Sequence, residues 1–299
     1  MNARLRPIFL IVLAALLFTN PGTGRAAPAP AREPALVINR VAGGTYFDPA
    51  KVNPLFVLVI GSDVRNGDPR PGRSDSLHIV AIDTKTGAGT IVGIPRDSWV
   101  PIVGAGTEKI NASLVLGGPE RTVATVTRLT GIRFHYWVLT EFSHFQRLVD
   151  SLGGVDVVVP YAMQDLKYSG ANFPAGPRHM NGYNALAFAR NRHATPDGDF
   201  SRSENQGRIL LAGLKKFRAD AANPLKLAKY LTVFRSQVVS NAPPRDLLAL
   251  TLIAGRINPA KVRNIVLPGT AGSAGGASVV FLAPQVNDIF RKIRTNAVL

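Results

Sequence analysis

Leu55 to Ile60 reads LFVLVI, a continuous apolar run rich in β-branched residues and closed by Gly61-Ser62-Asp63. A run of this length without polar alternation is the pattern of a strand buried inside a layered fold, with a loop at its carboxyl end. Two further short runs, Leu77 to Ile82 and Thr90 to Ile94, read as strands joined by Asp83-Thr84-Lys85-Thr86-Gly87, a plausible hairpin turn. Gly118-Pro119 then places proline at the first position of a helix running to about Leu129 and stopped by Gly131, with Val123, Val126 and Leu129 near one face. A strand over Tyr136 to Leu139, a helix capped by Ser143 and running to Leu152, and a strand over Val155 to Val159 follow. Asn181 caps a helix through Ala185 to Ala189, and Leu210 to Phe217, Leu225 to Phe234 and Leu247 to Ile257 read as further helices. Val262 to Leu267 and Val279 to Phe281 are short strands before a last helix over Ala283 to Ile293. This alternation predicts an α/β layered fold.

The N-terminus carries arginines, an apolar run from Ile8 to Phe18, then Asn20-Pro21-Gly22 and small residues around Ala26 and Ala27. That is the layout of an export signal. Residues 1–27 are expected to be a cleaved signal peptide or a short membrane anchor, the run being shorter than the roughly 20 residues of a comfortable span. Residues 28–40, rich in Ala, Pro and Arg, read as a flexible linker, and residues 41–299 as one folded domain. The expected location is extracytoplasmic, secreted or tethered to the outer face of the cytoplasmic membrane.

There is no cysteine, which excludes disulfides, thiolate metal sites and thiol nucleophiles. The net charge is +16, and residues 1–27 hold three arginines and no acid, so the remainder still carries +13. From Arg208 onward there are fourteen Lys or Arg against three acids. A surface of this kind attracts phosphate-rich partners such as anionic headgroups or wall polymers, and export argues against nucleic acid. The five histidines show no metal spacing, and neither G-x-S-x-G nor G-x-x-x-x-G-K-[ST] occurs. A serine hydrolase, a zinc peptidase and a P-loop nucleotidase are unsupported.

Three polar clusters could carry chemistry. In Gly61-Ser62-Asp63-Val64-Arg65 and Arg73-Ser74-Asp75-Ser76, one aspartate follows a buried strand and the other precedes one, so neighbouring strands would bring both carboxylates to one sheet edge. Two hard oxygen ligands there suit Mg²⁺, and turn capping is the alternative use of the same residues. Ile94-Pro95-Arg96-Asp97-Ser98 places Arg96 after a strand, either to fork onto a phosphate or to pair with Asp97. Lys109-Ile110-Asn111 adds a cation or merely precedes a helix. Arg190, Arg192 and Arg202, the last beside a helix start, either converge on one anion or are separately solvated. The apolar stretches Ile209 to Phe217 and Leu225 to Phe234 read first as core and otherwise as the wall of a lipid groove.

In order along the chain, these residues resemble the LytR-CpsA-Psr family of cell-wall transferases. The matching elements are the first strand with Gly61 to Arg65, Arg73 to Ser76, Ile94 to Asp97, Lys109 to Asn111, Leu152 to Val155, His179 to Gly182, Ala187 to Arg192 and Asp199 to Arg202. The segments Leu267-Pro268-Gly269 and Gly275 to Ser278 extend the likeness toward the C-terminus. The resemblance implies a three-layer α/β/α fold with a central mixed sheet flanked by helices, a long apolar pocket for a polyprenyl chain, and a mouth of arginines. It implies Mg²⁺, or Mn²⁺ in its place, held by Asp63 and Asp75. Arg65, Arg73, Arg96, Arg190, Arg192 and Arg202 would grip the pyrophosphate, with Gln206 and Asp97 in support, and Asp75, Arg96 and Asp97 would form the catalytic group. Two departures stand out: Asn205 occupies a position where many members have arginine, and Ser76 one where threonine is usual.

The activity expected from this likeness is phosphoryl-group transfer of a glycopolymer from a polyprenyl-pyrophosphate carrier onto a peptidoglycan hydroxyl at the membrane surface, releasing polyprenyl phosphate. Positioning and charge neutralisation suffice for such chemistry, and no nucleophilic side chain is required. Either Asp75 or Asp97 could serve as general base. The rival readings are a pyrophosphatase acting on the lipid-linked substrate and a non-catalytic lipid-phosphate binding or regulatory protein of the envelope.

Overall fold

The computed structural model describes residues 51–299, so the expected export segment, the linker and the start of the domain near Val41 lie outside the described residues. Strands β1 (Leu55–Ser62), β2 (Ser74–Ile82) and β3 (Gly89–Gly93) come first, followed by the short hairpin β4 (Trp99–Ile102) and β5 (Gly106–Lys109). Helix α1 (Ala112–Thr130), β6 (Tyr136–Thr140), α2 (Phe142–Ser151) and β7 (Val155–Val159) follow. After β8 (Met163–Asp165), β9 (Ala171–Phe173) and β10 (Gly176–Met180) come α3 (Gly182–Arg190), α4 (Asp199–Asp220) and α5 (Pro224–Gln237). The chain closes with β11 (Val239–Ser240), α6 (Pro244–Arg256), β12 (Val262–Val266), β13 (Gly269–Ala274), β14 (Ala277–Leu282) and α7 (Val286–Asn296).

Six strands form the central sheet in the order β11-β6-β1-β2-β3-β12. It is mixed: β1 pairs parallel to β6 and β3 parallel to β12, while β2 runs antiparallel to both of its neighbours. The apolar run of β1 is divided between two faces, as its lack of alternation requires. Phe56, Leu58 and Ile60 join Leu77, Ile79, Trp137 and Leu139 in a core that includes Val126 of α1 and Phe290 and Ile293 of α7. Leu55 and Val57 face the opposite layer, where Leu247 and Ile253 of α6 and Leu214 of α4 cover them. A satellite core of Val155, Val157 and Val159 of β7 with Phe188 of α3 and Ile209 of α4 extends that layer. Helices therefore flank the sheet on both faces, the three-layer arrangement expected.

Two local expectations are corrected. The helix placed at Pro119 begins seven residues earlier, at Ala112, and is broken at Gly117 and Gly118, whose backbone is not helical; Pro119 opens the second part and a left-handed Gly131 closes it. The cap of α2 is Glu141, not Ser143: its buried carboxylate accepts from Ser143 N at 2.8 Å and His144 N at 3.0 Å. A carboxylate serves an N-terminus as well as a hydroxyl, because it also answers the positive end of the helix.

Candidate active site

Because β1, β3 and β6 run in one direction, their carboxyl ends share one edge of the sheet, and the amino end of the antiparallel β2 joins them. Asp63, Arg96 and Glu141 therefore leave the sheet at the same edge at which Asp75 enters it. In open α/β sheets this is the edge where ligands bind. A cavity of about 570 Å³ opens there, between the face of β1 and β6 and helices α2, α4 and α5. Asp75, Arg96, Arg190, Arg192, Arg202 and Gln206 line its charged end. Phe145, Leu148, Leu152, Leu210, Phe234 and Val238 line the rest. Helix α4 runs through both zones. Arg202, Gln206, Ile209 and Gly213 recur every three or four residues and occupy one helical face, so a single helix passes from charge to hydrocarbon along the wall.

The charged end is tightly connected. Arg96 forms an ion pair with Asp75, and its loop is fixed by Asn111 N donating to Arg96 O at 3.1 Å. Its Nε is buried and finds no hydrogen-bond partner among the described residues, with Asp97 Oδ1 the ion-pair neighbour at 4.0 Å. Arg202, 5% exposed, pairs with Asp199. Gln206 donates to Asp75 O and to Ala189 O, each at 3.2 Å, and so ties β2 to α3. Arg190 lies 4.9 Å from the centre of the Phe142 ring, a cation over an aromatic face. Tyr168 stacks on His193 at 4.3 Å beside it.

The electrostatics show crowding. Burial, then Arg96 and Arg192, depress the Arg202 guanidinium below its usual range against the opposing pull of Asp199. Burial and then Arg65 do the same to Arg190. For Arg96, burial works against the charge, but Asp75, then Asp97 and Asp199, more than offset it and hold the group above its usual value. Burial raises Asp199 despite Arg202. Cations that destabilise one another in a partly buried space form a site that an anion would relieve.

Six of the expected residues thus meet in one cavity and four do not line it. Arg65 lines a neighbouring cavity of about 430 Å³ that shares the Arg190 and Phe142 wall. Arg73 is exposed and lines neither space. Asp63 accepts from Arg73 N at 2.8 Å, the turn-capping use open from the sequence, and lies directly beyond Ser62, which does line the main cavity. Asp97 pairs with Lys109 at 3.2 Å, with Arg96 Nε farther off at 4.0 Å. Asn205 sits off the lining face of α4, buried, with neither amide atom partnered among the described residues. Sequence reasoning missed Glu141, Phe142, Tyr168 and His193 as lining residues. No residue pattern marked Tyr168, and only the adjacency of His193 to Arg192 could have marked the histidine.

A model of the LytR_cpsA_psr family matches residues 33–295. The chain belongs to this family. Among curated family relatives, the "polyisoprenyl-teichoic acid--peptidoglycan teichoic acid transferase TagU" of Bacillus subtilis is 36% identical over 192 residues, covering 64% of this chain and 59% of TagU. The TagU of Bacillus mycoides is 35% identical over 198 residues, covering 64% of this chain and 62% of its own length. The aligned part of the chain thus spans about three fifths of these relatives. Among solved LytR_cpsA_psr structures, TagT bound to LI-WTA superposes with a TM-score of 0.70 at 26% identity, covering 87% of this chain and 97% of TagT. The crystal structure of Bacillus subtilis TagV gives 0.68 at 28%, covering 81% and 98%.

Proposed function

We propose that this chain is an extracytoplasmic phosphotransferase that moves a glycopolymer from a polyprenyl-pyrophosphate carrier onto a peptidoglycan hydroxyl and releases polyprenyl phosphate. The observation that carries this reading is the single cavity with clustered arginines at one end and hydrocarbon at the other, the shape of a lipid pyrophosphate. The printed name of TagU, teichoic acid transfer from a polyisoprenyl carrier to peptidoglycan, supports the reaction class.

In this reading Arg96, Arg190, Arg192 and Arg202 hold the pyrophosphate. Phe145, Leu148, Leu210 and Phe234 hold the start of the tail. Arg65 joins from the adjoining cavity, where the polymer side of the substrate would lie. Of the two candidate bases we assign Asp75, which lines the cavity, over Asp97, which is turned to Lys109. Asp63 and Asp75 suit Mg²⁺ or Mn²⁺: each commits only Oδ1 to a protein donor, and a hard cation of this type completes its shell with water and substrate phosphate. Bound there, the cation would offset charge on the pyrophosphate oxygens.

The test is a reconstituted reaction with a lipid-linked donor and peptidoglycan. Arg96→Ala should lower transfer about a thousandfold, the range for removing one charge-stabilising donor. EDTA should stop the reaction, and added Mg²⁺ should restore it. Full transfer by the Arg96→Ala protein would overturn the assignment.

A further inference from the structure

Ser76 and His78 are alternate residues of β2, so both side chains point to the sheet face that carries the cavity and α4. Each is opposed by a glycine, Gly61 across from Ser76 and Gly93 across from His78. A Cβ on Gly61 would stand 2.9 Å from Ser76 Cβ; one on Gly93 would stand 2.4 Å from Ser203 Oγ and 3.2 Å from His78 Nε2. The glycines therefore clear the volume these two side chains need. His78 is wholly buried, and its ring bridges Ser76 Oγ, 3.1 Å from Nδ1, and the backbone carbonyl of Ser203 on α4, 3.1 Å from Nε2.

This geometry fixes the hydrogens. A carbonyl oxygen can only accept, so Nε2 carries the ring hydrogen. In the neutral ring Nδ1 is then an acceptor, and the Ser76 hydroxyl must donate to it. Burial keeps the ring neutral, pushing its pKa down to about 4. The Ser76 hydrogen is thereby turned into the protein, and the oxygen lone pairs are left for the cavity, where Ser76 lies beside Asp75. The arginines around it can only donate.

We propose that Ser76 is a catalytic residue whose oxygen accepts the hydrogen of the attacking hydroxyl and aims its lone pair at phosphorus, with His78 the positioning residue behind it. The inference rests on the phosphotransferase reading above. In a loose transition state the attacking oxygen still carries its hydrogen, so it needs an aiming acceptor more than a strong base. The new bond joins the acceptor oxygen to the polymer-side phosphorus. The bond from that phosphorus to the bridging oxygen breaks, and its electron pair leaves on polyprenyl phosphate. The acceptor proton ends on the leaving polyprenyl phosphate, while Ser76 and His78 keep their own hydrogens.

Ser76→Ala should lower kcat about tenfold, the rate worth of one neutral hydrogen bond, with donor KM unchanged. Ser76→Thr should restore most of the loss. His78→Leu should lower kcat severalfold in the parent protein and have no effect in the S76A background, because it acts only through Ser76. A His78→Leu loss of equal size in both backgrounds would mark a merely structural histidine and overturn the proposal. Nitrogen NMR of the intact protein should find the His78 hydrogen on Nε2, and a hydrogen on Nδ1 would also overturn it. An active parent with an unimpaired Ser76→Ala variant overturns this inference alone. A parent chain that turns over no lipid-linked donor overturns the functional reading and takes this one with it.

Discussion

At the charged end of the cavity the side chains are held by polar partners: Arg96 by Asp75, Arg202 by Asp199, and Gln206 by two carbonyls. At the apolar end Leu148, Leu210 and Phe234 have only packing to place them. Directional bonds fix atoms to fractions of an ångström but leave a buried charge stranded when one partner is removed. Packing tolerates substitution as long as volume is kept. The first end is therefore suited to orienting a reacting group, and the second to accepting a flexible chain.

After Arg96→Ala, the largest effect is expected where that contrast is steepest. Arg202→Ala removes a cavity cation and leaves Asp199 buried without its partner; transfer should fall about a hundredfold and stability by about 3 kcal/mol, read by kinetics and by urea unfolding. The second test concerns the wall behind the charged end. His78 has a folded pKa of about 4 against 6.5 ordinarily, so between these values the unfolded chain binds the extra proton. The parent should lose about 3 kcal/mol of stability relative to His78→Leu on acidification through that window. Stability falling equally in both proteins would place the acid sensitivity elsewhere.

Gly213 tests the apolar end. A Cβ there would meet only Leu152 Cδ1, at 4.0 Å, and Gly213 lines the cavity, so the base of a Gly213→Leu side chain meets no clash and its end is expected to enter the cavity. Donor KM should rise about tenfold for a long-tailed substrate, with stability unchanged or improved by about 1 kcal/mol from helix propensity. If a short-tailed donor suffers equally, the leucine is not competing with the tail. The smallest effect should come from Arg73→Ala, within about threefold in rate, since that side chain lines neither cavity and only its backbone holds Asp63.

The strands that were legible in the sequence are those stabilised by burial. β1 announces itself because its residues are apolar on both faces, and β2 and β3 through the shorter apolar runs Ile79 to Ile82 and Ile91 to Val92. GTEK in β5, GPRHM in β10 and GTAGSA in β13 carry no such signal, because backbone pairing rather than burial makes them strands. Asp75 and Asp97 were equivalent in sequence, each beside a strand at the same edge. Their separation depends on where Lys109 comes to rest, a contact made by the β4–β5 hairpin that no apolar pattern foretold. The Ser76–His78 pair was written in plain view as S-x-H on a strand, but its meaning required the carbonyl of Ser203, 125 residues away.

One helix, α4, carries Arg202 and Gly213 on the same face without a break. Eleven residues of helix span about 16 Å, and a rod of that kind neither stretches nor folds. In the proposed reaction it acts as a gauge with its zero at the phosphates. A carrier tail shorter than the gauge forfeits contact in proportion to what is missing, and a longer one gains nothing from the excess. Selection would then fall on where charge gives way to hydrocarbon, leaving the total length of the lipid unread.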